Sequence, residues 1–235
     1  MVLSFVEIKD FGMIVGKSFL QRMIELPLFQ GMSKTDLEDV AGHTKLGFLR
    51  VPAGKSVVNE GAVCEQVFLL MSGEVSVVSR ADDGAYSLCE QMEAPVVFQL
   101  ECLFGLTPRF TRSVVAKTPS QLITISKAEL LSLCERNEIF RLNLLNILST
   151  IAQRSARYSW RQPPTEIRQK LFRFLEQRAL RPAGPKVLRV KMSVLSSLLG
   201  ESRLNVSRTL NAMAEEGLLT FSRGIIQIPA LEQLR

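Results

Sequence analysis

The period of the hydrophobic pattern changes twice along the chain. Ser18 to Glu25 has helical spacing and runs into Leu26-Pro27-Leu28-Phe29-Gln30-Gly31, after which Ser33 opens a second short helix. Ser33 is a suitable N-cap and Asp36 an acidic first-turn residue beside the positive helix end. From Thr44 to Ile125 the pattern shortens to apolar or alternating runs: Leu46 to Val51, Ser56 to Val58, Gln66 to Met71, Glu74 to Ser79, Tyr86 to Glu90, Arg112 to Ala116 and Gln121 to Ile125. Turn residues separate them at Pro52-Ala53-Gly54, Asn59-Glu60-Gly61, Ser72-Gly73, Asp82-Asp83-Gly84 and Thr118-Pro119. Short strands at this spacing predict an all-β barrel or roll.

Helical periodicity returns at Lys127, with one short helix to Glu135 and a longer one from Phe140 to about Trp160. Phe140, Leu144, Ile147, Ile151 and Tyr158 fall at steps of four, three, four and seven, a narrow seam that suits packing against a partner helix. A second set, Leu145, Leu148 and Ala152, is then left to face the β domain. The alternative is an ordinary core helix lying on that domain. Gln162-Pro163-Pro164 stops the helix. Beyond it, Thr165 is expected to cap a helix through Ile167, Leu171, Phe174 and Leu175, and Val187 to Val190 forms a strand. Helices at about Ser193 to Leu199 and Ser202 to Glu216 flank Gly200-Glu201, and Leu218 to Phe221 with Ile225 to Ile228 form a hairpin. Helix, turn, helix, hairpin is the order of a winged helix-turn-helix.

Charge sharpens the division. From Arg157 onward there are 14 Lys/Arg against 6 Asp/Glu, whereas the first 156 residues carry 15 against 17. Clustered cations in one module and none in excess in the other fit a nucleic-acid-binding module attached to a non-binding one. No stretch of about 18 uncharged apolar residues occurs, so no membrane span is expected. Glu7, Lys9 and Asp10 interrupt the start of the chain where a signal peptide needs an uncharged core, and a cytoplasmic location is expected. Cys64, Cys89, Cys102 and Cys134 lack C-x-x-C spacing, His43 is the only histidine, and neither a phosphate-binding loop nor a nucleophile–base pair is present. Reduced thiols, no metal site and no catalytic residues follow as expectations.

The second helix of the basic module reads Ser202-Arg203-Leu204-Asn205-Val206-Ser207-Arg208-Thr209-Leu210-Asn211-Ala212-Met213. Val206, Leu210 and Met213 make one apolar stripe, while Arg203, Asn205, Ser207, Arg208 and Asn211 lie elsewhere on the helix. Arginine can chelate guanine, asparagine adenine, and serine suits phosphate or a base edge. Leu195 to Leu210, followed by Glu216-Gly217-Leu218-Leu219, resembles the CRP/FNR pattern of a short helix, a Gly turn, an "S-R-x-x-V-S-R-x-L" helix and "E-G-L-I" before a wing. Leu26 to Leu37, Gly54 to Gly61 and Val67 to Val75 resemble three further motifs of that family in the same order, so the likeness covers nearly the whole chain.

The resemblance implies an α+β chain: residues 1–126 as N-terminal helices and a double-stranded β-helix (β-roll) sensor domain, 127–160 as a short helix plus a dimerisation helix, and 161–235 as a winged helix-turn-helix. It implies a homodimeric transcription regulator, not an enzyme, that binds an inverted repeat in double-stranded DNA, with RNA polymerase as a further partner and an unidentified small-molecule effector. DNA contacts are expected from Ser202, Arg203, Asn205, Ser207, Arg208 and, in the wing, Arg223. The family commonly carries glutamate where Leu204 stands, so its usual half-site is not expected here.

Cyclic-nucleotide binders of the family carry "G-E-x-x-L" and then "R-[ST]-A", the Glu holding the ribose and the Arg the phosphate. Aligned on Leu103-Phe104 and Ala116-Lys117-Thr118, this chain places Gln99-Leu100 at the Gly-Glu pair and Phe110 at the arginine. Both polar anchors are then missing, and cyclic AMP is not expected to bind; an apolar ligand, haem or no effector at all fits the same residues. The alternative is a cyclic-nucleotide-responsive regulator in a shifted register, using Glu101 for ribose and Arg112-Ser113 for phosphate, still without the cassette glycine.

Overall fold

The computed structural model describes residues 17–158 and 160–235. The expectation about Glu7, Lys9 and Asp10 lies outside them. Contacts divide the chain into two compact units: one runs up to Val75 and resumes over Met92–Arg154, the other joins Ser76–Gln91 to Ser155–Arg235. Ser76–Gln91, expected within the β-roll from its place in the sequence, groups with the C-terminal elements.

The first unit opens with helix α1 (Lys17–Glu25) and a 3-10 turn at Pro27–Phe29, followed by α2 (Lys34–His43). Ser33 caps α2 in a reciprocal capping box with Asp36, in which each side chain accepts from the other residue's backbone N–H. Those donated hydrogen bonds hold the Asp36 carboxyl below the ordinary carboxylate value.

Strands β1 (Leu46–Val51), β3 (Gln66–Ser72), β6 (Val96–Phe98) and β8 (Ser120–Ser126) form an antiparallel sheet in the order β1-β8-β3-β6. β2 (Ser56–Val58) pairs with β7 (Ser113–Ala116). The runs read from alternation recur to within three residues at either end, and β6 was not foreseen because the Pro95 before it and its three-residue length look like a loop. Helix α3 (Lys127–Arg136) is capped by Ser126, and a single residue, Asn137, separates it from the 21-residue helix α4 (Glu138–Tyr158). Asn137 Oδ1 accepts from Phe140 N at 2.9 Å, so α4 starts two residues ahead of the expected Phe140.

In the second unit α5 (Ile167–Arg178), β9 (Lys186–Val190), α6 (Met192–Leu199), α7 (Arg203–Glu215), β10 (Thr220–Ser222) and β11 (Ile225–Ile228) complete a winged helix-turn-helix. Thr165 does not cap α5: Glu166 is the N-cap, and its side chain makes no capping hydrogen bond. The sheet is larger than the expected hairpin. β11 pairs with β9, and β9 pairs in turn with β5 (Tyr86–Glu93), Tyr86 opposite Val190 and Glu90 opposite Lys186. Leu88 thereby joins a core of Leu171, Phe174, Leu188, Leu195, Val206, Leu210 and Met213, closed at the end of the chain by Leu231 and Leu234 in a 3-10 turn.

A buried ion pair fixes the register of β5 on β9. Glu90 and Lys186 meet at 3.3 Å with each side chain 2% exposed. Glu90 also accepts from the N–H groups of Leu180 (2.7 Å) and Arg181 (3.2 Å), and Lys186 donates to the Ala183 carbonyl at 2.8 Å. Burial pulls the Lys186 amine below its ordinary value, and Glu90 opposes that shift. Removing either partner would strand the other charge, which costs about 3–5 kcal/mol.

Candidate nucleic-acid interface

The turn between α6 and α7 is what presents α7. Gly200 ends α6 in the left-handed conformation (φ 65, ψ 38), and Glu201 N and Gly200 N return to the carbonyls of Ser196 (2.9 Å) and Ser197 (3.1 Å), the bond pair of a Schellman motif. Ser202 then caps α7, its hydroxyl oxygen accepting from Asn205 N at 3.1 Å. That role was not foreseen for Ser202, which was expected only as a DNA contact; its O–H remains a donor.

Val206, Leu210 and Met213 are buried, at 1% exposure or less, and hold α7 on its unit. Arg203, Leu204, Asn205, Arg208 and Asn211 are exposed and Ser207 is half-buried. The carboxylates at the two ends of the helix are drawn toward α5: Glu201 is paired with Lys170 at 2.6 Å and Glu216 with Arg168 at 2.9 Å. These pairs leave Arg203 and Arg208 as the charges on the exposed N-terminal half of α7, with Glu215 exposed at its C-terminal end. Leu204 is 59% exposed, an apolar side chain displayed among polar ones.

The wing turns at Arg223-Gly224, both with positive φ (45 and 81), between the paired residues Ser222 and Ile225. A two-residue turn of this kind matches strand twist and favours Asn or Gly at its first position. An arginine held there costs about 1–2 kcal/mol, and it places a guanidinium at the tip of the wing.

In the first unit the residues of the expected effector pocket lie close together, and they are occupied with one another. Gln99 adopts the left-handed conformation (φ 55, ψ 35) that suits glycine, and its amide bonds both the N–H and the carbonyl of Arg112, each at 2.9 Å. Leu100 and Phe110 are buried, and the Phe68 ring lies 5.9 Å from both Phe98 and Phe110. Glu101 and Arg112 pair at 3.6 Å, and Ser113 Oγ accepts from Glu60 N at 3.1 Å. Burial, with the Cys102 thiol nearby, pushes Cys64 up to about 11; burial likewise raises Cys102 and Cys134. These thiols stay neutral at physiological pH. Among the described residues no group of three or more His, Cys, Asp or Glu side chains is placed to hold a metal ion.

The expected seam on α4 needs correction. Phe140 (0% exposed) and Leu144 (5%) are covered within their own unit: the Phe29 ring packs 5.4 Å from Phe140, and Asn143 Nδ2 donates to the carbonyls of Leu28 (3.1 Å) and Gln30 (2.8 Å). Those anchors turn the Phe140 side inward and the Leu145 side out. Leu142 (50%), Leu145 (52%) and Ile151 (38%) are exposed, and Ile147 is half-buried. Tyr158 donates its hydroxyl to the Glu176 carbonyl at 3.0 Å.

A winged helix with a bare basic recognition helix, carried on a chain with a β-roll, defines a DNA-binding regulator with a sensor module. Two family models match: the cyclic nucleotide-binding domain over residues 48–137 and the Crp-like helix-turn-helix domain over residues 169–235. The chain is similar to the cyclic AMP receptor protein of Thermus thermophilus, 23% identical over 206 residues that cover 86% of this chain and 92% of the relative. It is also similar to the CRP-like cAMP-activated global transcriptional regulator of Mycobacterium tuberculosis, 25% identical over 217 residues (88% and 94%). Among solved structures, the catabolite activator protein of Thermus thermophilus aligns over 88% of this chain and 96% of its own, at 21% identity and a TM-score of 0.48. The protein belongs to the CRP/FNR family of transcription regulators. Among the described residues no helix is long and apolar enough to cross a membrane.

Proposed function

We propose that this regulator works in the cytoplasm as a homodimer that reads an inverted repeat through α7 and the wing, and that its β-roll does not take cyclic AMP. The observation that carries the DNA reading is the exposed N-terminal half of α7, where Arg203, Asn205 and Arg208 stand clear while Lys170 holds Glu201 and Arg168 holds Glu216. A helix of this kind enters the major groove, and two-fold symmetry sets the half-sites about one helical turn, roughly 34–36 Å, apart. Leu204 offers only apolar contact, best suited to a thymine methyl. RNA polymerase is the partner that a regulator of this class addresses once on DNA. The two relatives' names mention cyclic AMP. Against its use here stand Gln99, which ties the loop where the cassette glycine is expected, and the buried Phe110 at the arginine position.

Binding selection on the wild type and on Arg203→Ala, Arg208→Ala and Leu204→Glu tests the reading. An arginine bidentate to guanine loses about 1–3 kcal/mol at the preferred site on truncation and relaxes selectivity at that base pair. Leu204→Glu shifts preference toward cytosine at the contacted position. Four identical motifs would show that α7 does not read bases.

A further inference from the structure

The second unit carries a second basic feature, made where three of its strands meet. A cavity of about 320 Å³ is lined by Arg80 at the end of strand β4 (Glu74–Arg80), Gly84 and Ser87 of the turn and strand that follow, Arg189 and Lys191 of β9 and the residue after it, and Arg223 of the wing. Strand register builds it: Arg189 lies opposite Ser87 on one side and opposite Ile225, next to the wing turn, on the other. The wing is tied there by Val190 N donating to the Gly224 carbonyl at 2.8 Å. Gly84 opens onto free space.

Four cations thus converge on one concavity, all four exposed, and among the described residues no carboxylate lines it. The nearest acidic residues in sequence are Asp82 and Asp83; Asp83 Oδ1 accepts from Ala85 N at 2.9 Å and so serves its own turn. Like charges gathered at one place raise the local potential and destabilise the free protein. Arg223 adds to the cost, since it sits in a left-handed conformation for which asparagine or glycine is better suited. Both costs are offset when a polyanion occupies the cup. Three guanidiniums and an ammonium suit phosphate oxygens, which guanidinium forks bind in pairs and ammonium binds as a point charge.

We propose that this cup is a second DNA-binding site, gripping a backbone phosphate apart from the groove that α7 reads. The hairpin of β4 and β5, drawn from the N-terminal half of the sequence, then becomes part of the DNA-binding surface. The proposal rests on the reading of the protein as a DNA-binding regulator. A phosphate contact positions without reading sequence, so the cup strengthens binding to every duplex equally.

The test is fluorescence anisotropy of the full-length protein on a labelled duplex carrying the selected site, titrated over a range of salt. The proteins compared are the wild type, Arg80→Ala with Arg189→Ala, and Arg223→Asn, each variant first checked for a thermal midpoint equal to or higher than that of the wild type. Arg203→Ala serves as the comparison from α7. The proposal expects both cup variants to lose about tenfold per lost contact in each subunit near 0.1 M salt, with the salt slope shallower by roughly 0.9 per contact and the selected motif unchanged. Wild-type affinity and slope in the double variant, with a wild type that binds its site specifically, would overturn the cup and leave the reading of α7 intact. A wild type without preference for any duplex would remove both. Sodium pyrophosphate supplies a further arm: thermal stabilisation of the wild type that the double variant lacks, together with an unchanged DNA salt slope, would assign the cup to a free anion and overturn the DNA source.

Discussion

At the scale of single residues, the proposal that the β-roll does not take cyclic AMP rests on how its polar groups are already engaged. A cyclic phosphate needs an uncommitted arginine and a backbone free to approach it. Here the Gln99 amide closes on both backbone groups of Arg112, and the Arg112 guanidinium faces Glu101. Burying the phosphate charge without such an anchor costs several kcal/mol in order of magnitude. Calorimetry of the purified protein with cyclic AMP and cyclic GMP is therefore expected to give no heat of binding at physiological concentrations. A micromolar dissociation constant that disappears in Arg112→Ala would instead establish the register with Glu101 at the ribose and Arg112 at the phosphate. Sequence alone placed Gln99 at the glycine of the cassette; the left-handed backbone it adopts there (φ 55) follows from the local chain path, which no propensity scale encodes. The cap made by Ser202 is open to prediction from Ser-x-x-Asn at a helix start, but the same serine equally suits a DNA contact, and spacing does not separate the two roles.

At the scale of elements, strand and helix positions were largely legible because alternation and helical spacing are read locally. The face that a helix presents was not. On α4 the apolar residues nearly encircle the axis, and spacing alone leaves two candidate seams, Phe140-Leu144-Ile147-Ile151 and Leu145-Leu148-Ala152. The choice is made by anchors distant in sequence, the Phe29 ring and the carbonyls of Leu28 and Gln30. The exposed Leu142, Leu145 and Ile151 are consequently the residues to which we assign the interface of the proposed dimer, since an isolated chain leaves their apolar surface wet. Replacing Leu145 and Ile151 together by glutamate is expected to yield monomers by light scattering with the fold intact. Leu144→Glu, by contrast, is expected to unfold the first unit, because that side chain is 5% exposed. A double variant that remains dimeric would place the interface elsewhere. The pairing of β5 with β9 was equally invisible: the Glu90–Lys186 pair links residues 96 apart, and only the fold brings them to 3.3 Å.

At the scale of the whole molecule, the uneven charge of the sequence finds its explanation in how the basic third is organised. Some of its cations are bound up in structure, as in Arg161 on the buried Glu176 at 2.9 Å, Arg168 on Glu216 and Lys170 on Glu201. Others stand clear on α7 and at the wing, where phosphates and base edges would meet them. The bulk count pointed to nucleic acid, but could not distinguish these two populations. A genomic footprint of the full-length protein tests the account most directly, because its motif reports DNA binding, symmetry and base reading together. The account predicts discrete sites bearing an inverted repeat, with half-sites about one helical turn apart and a motif that changes in Arg203→Ala or Arg208→Ala. Occupancy spread without any motif, or a motif lacking two-fold symmetry and unaltered in both variants, would contradict it.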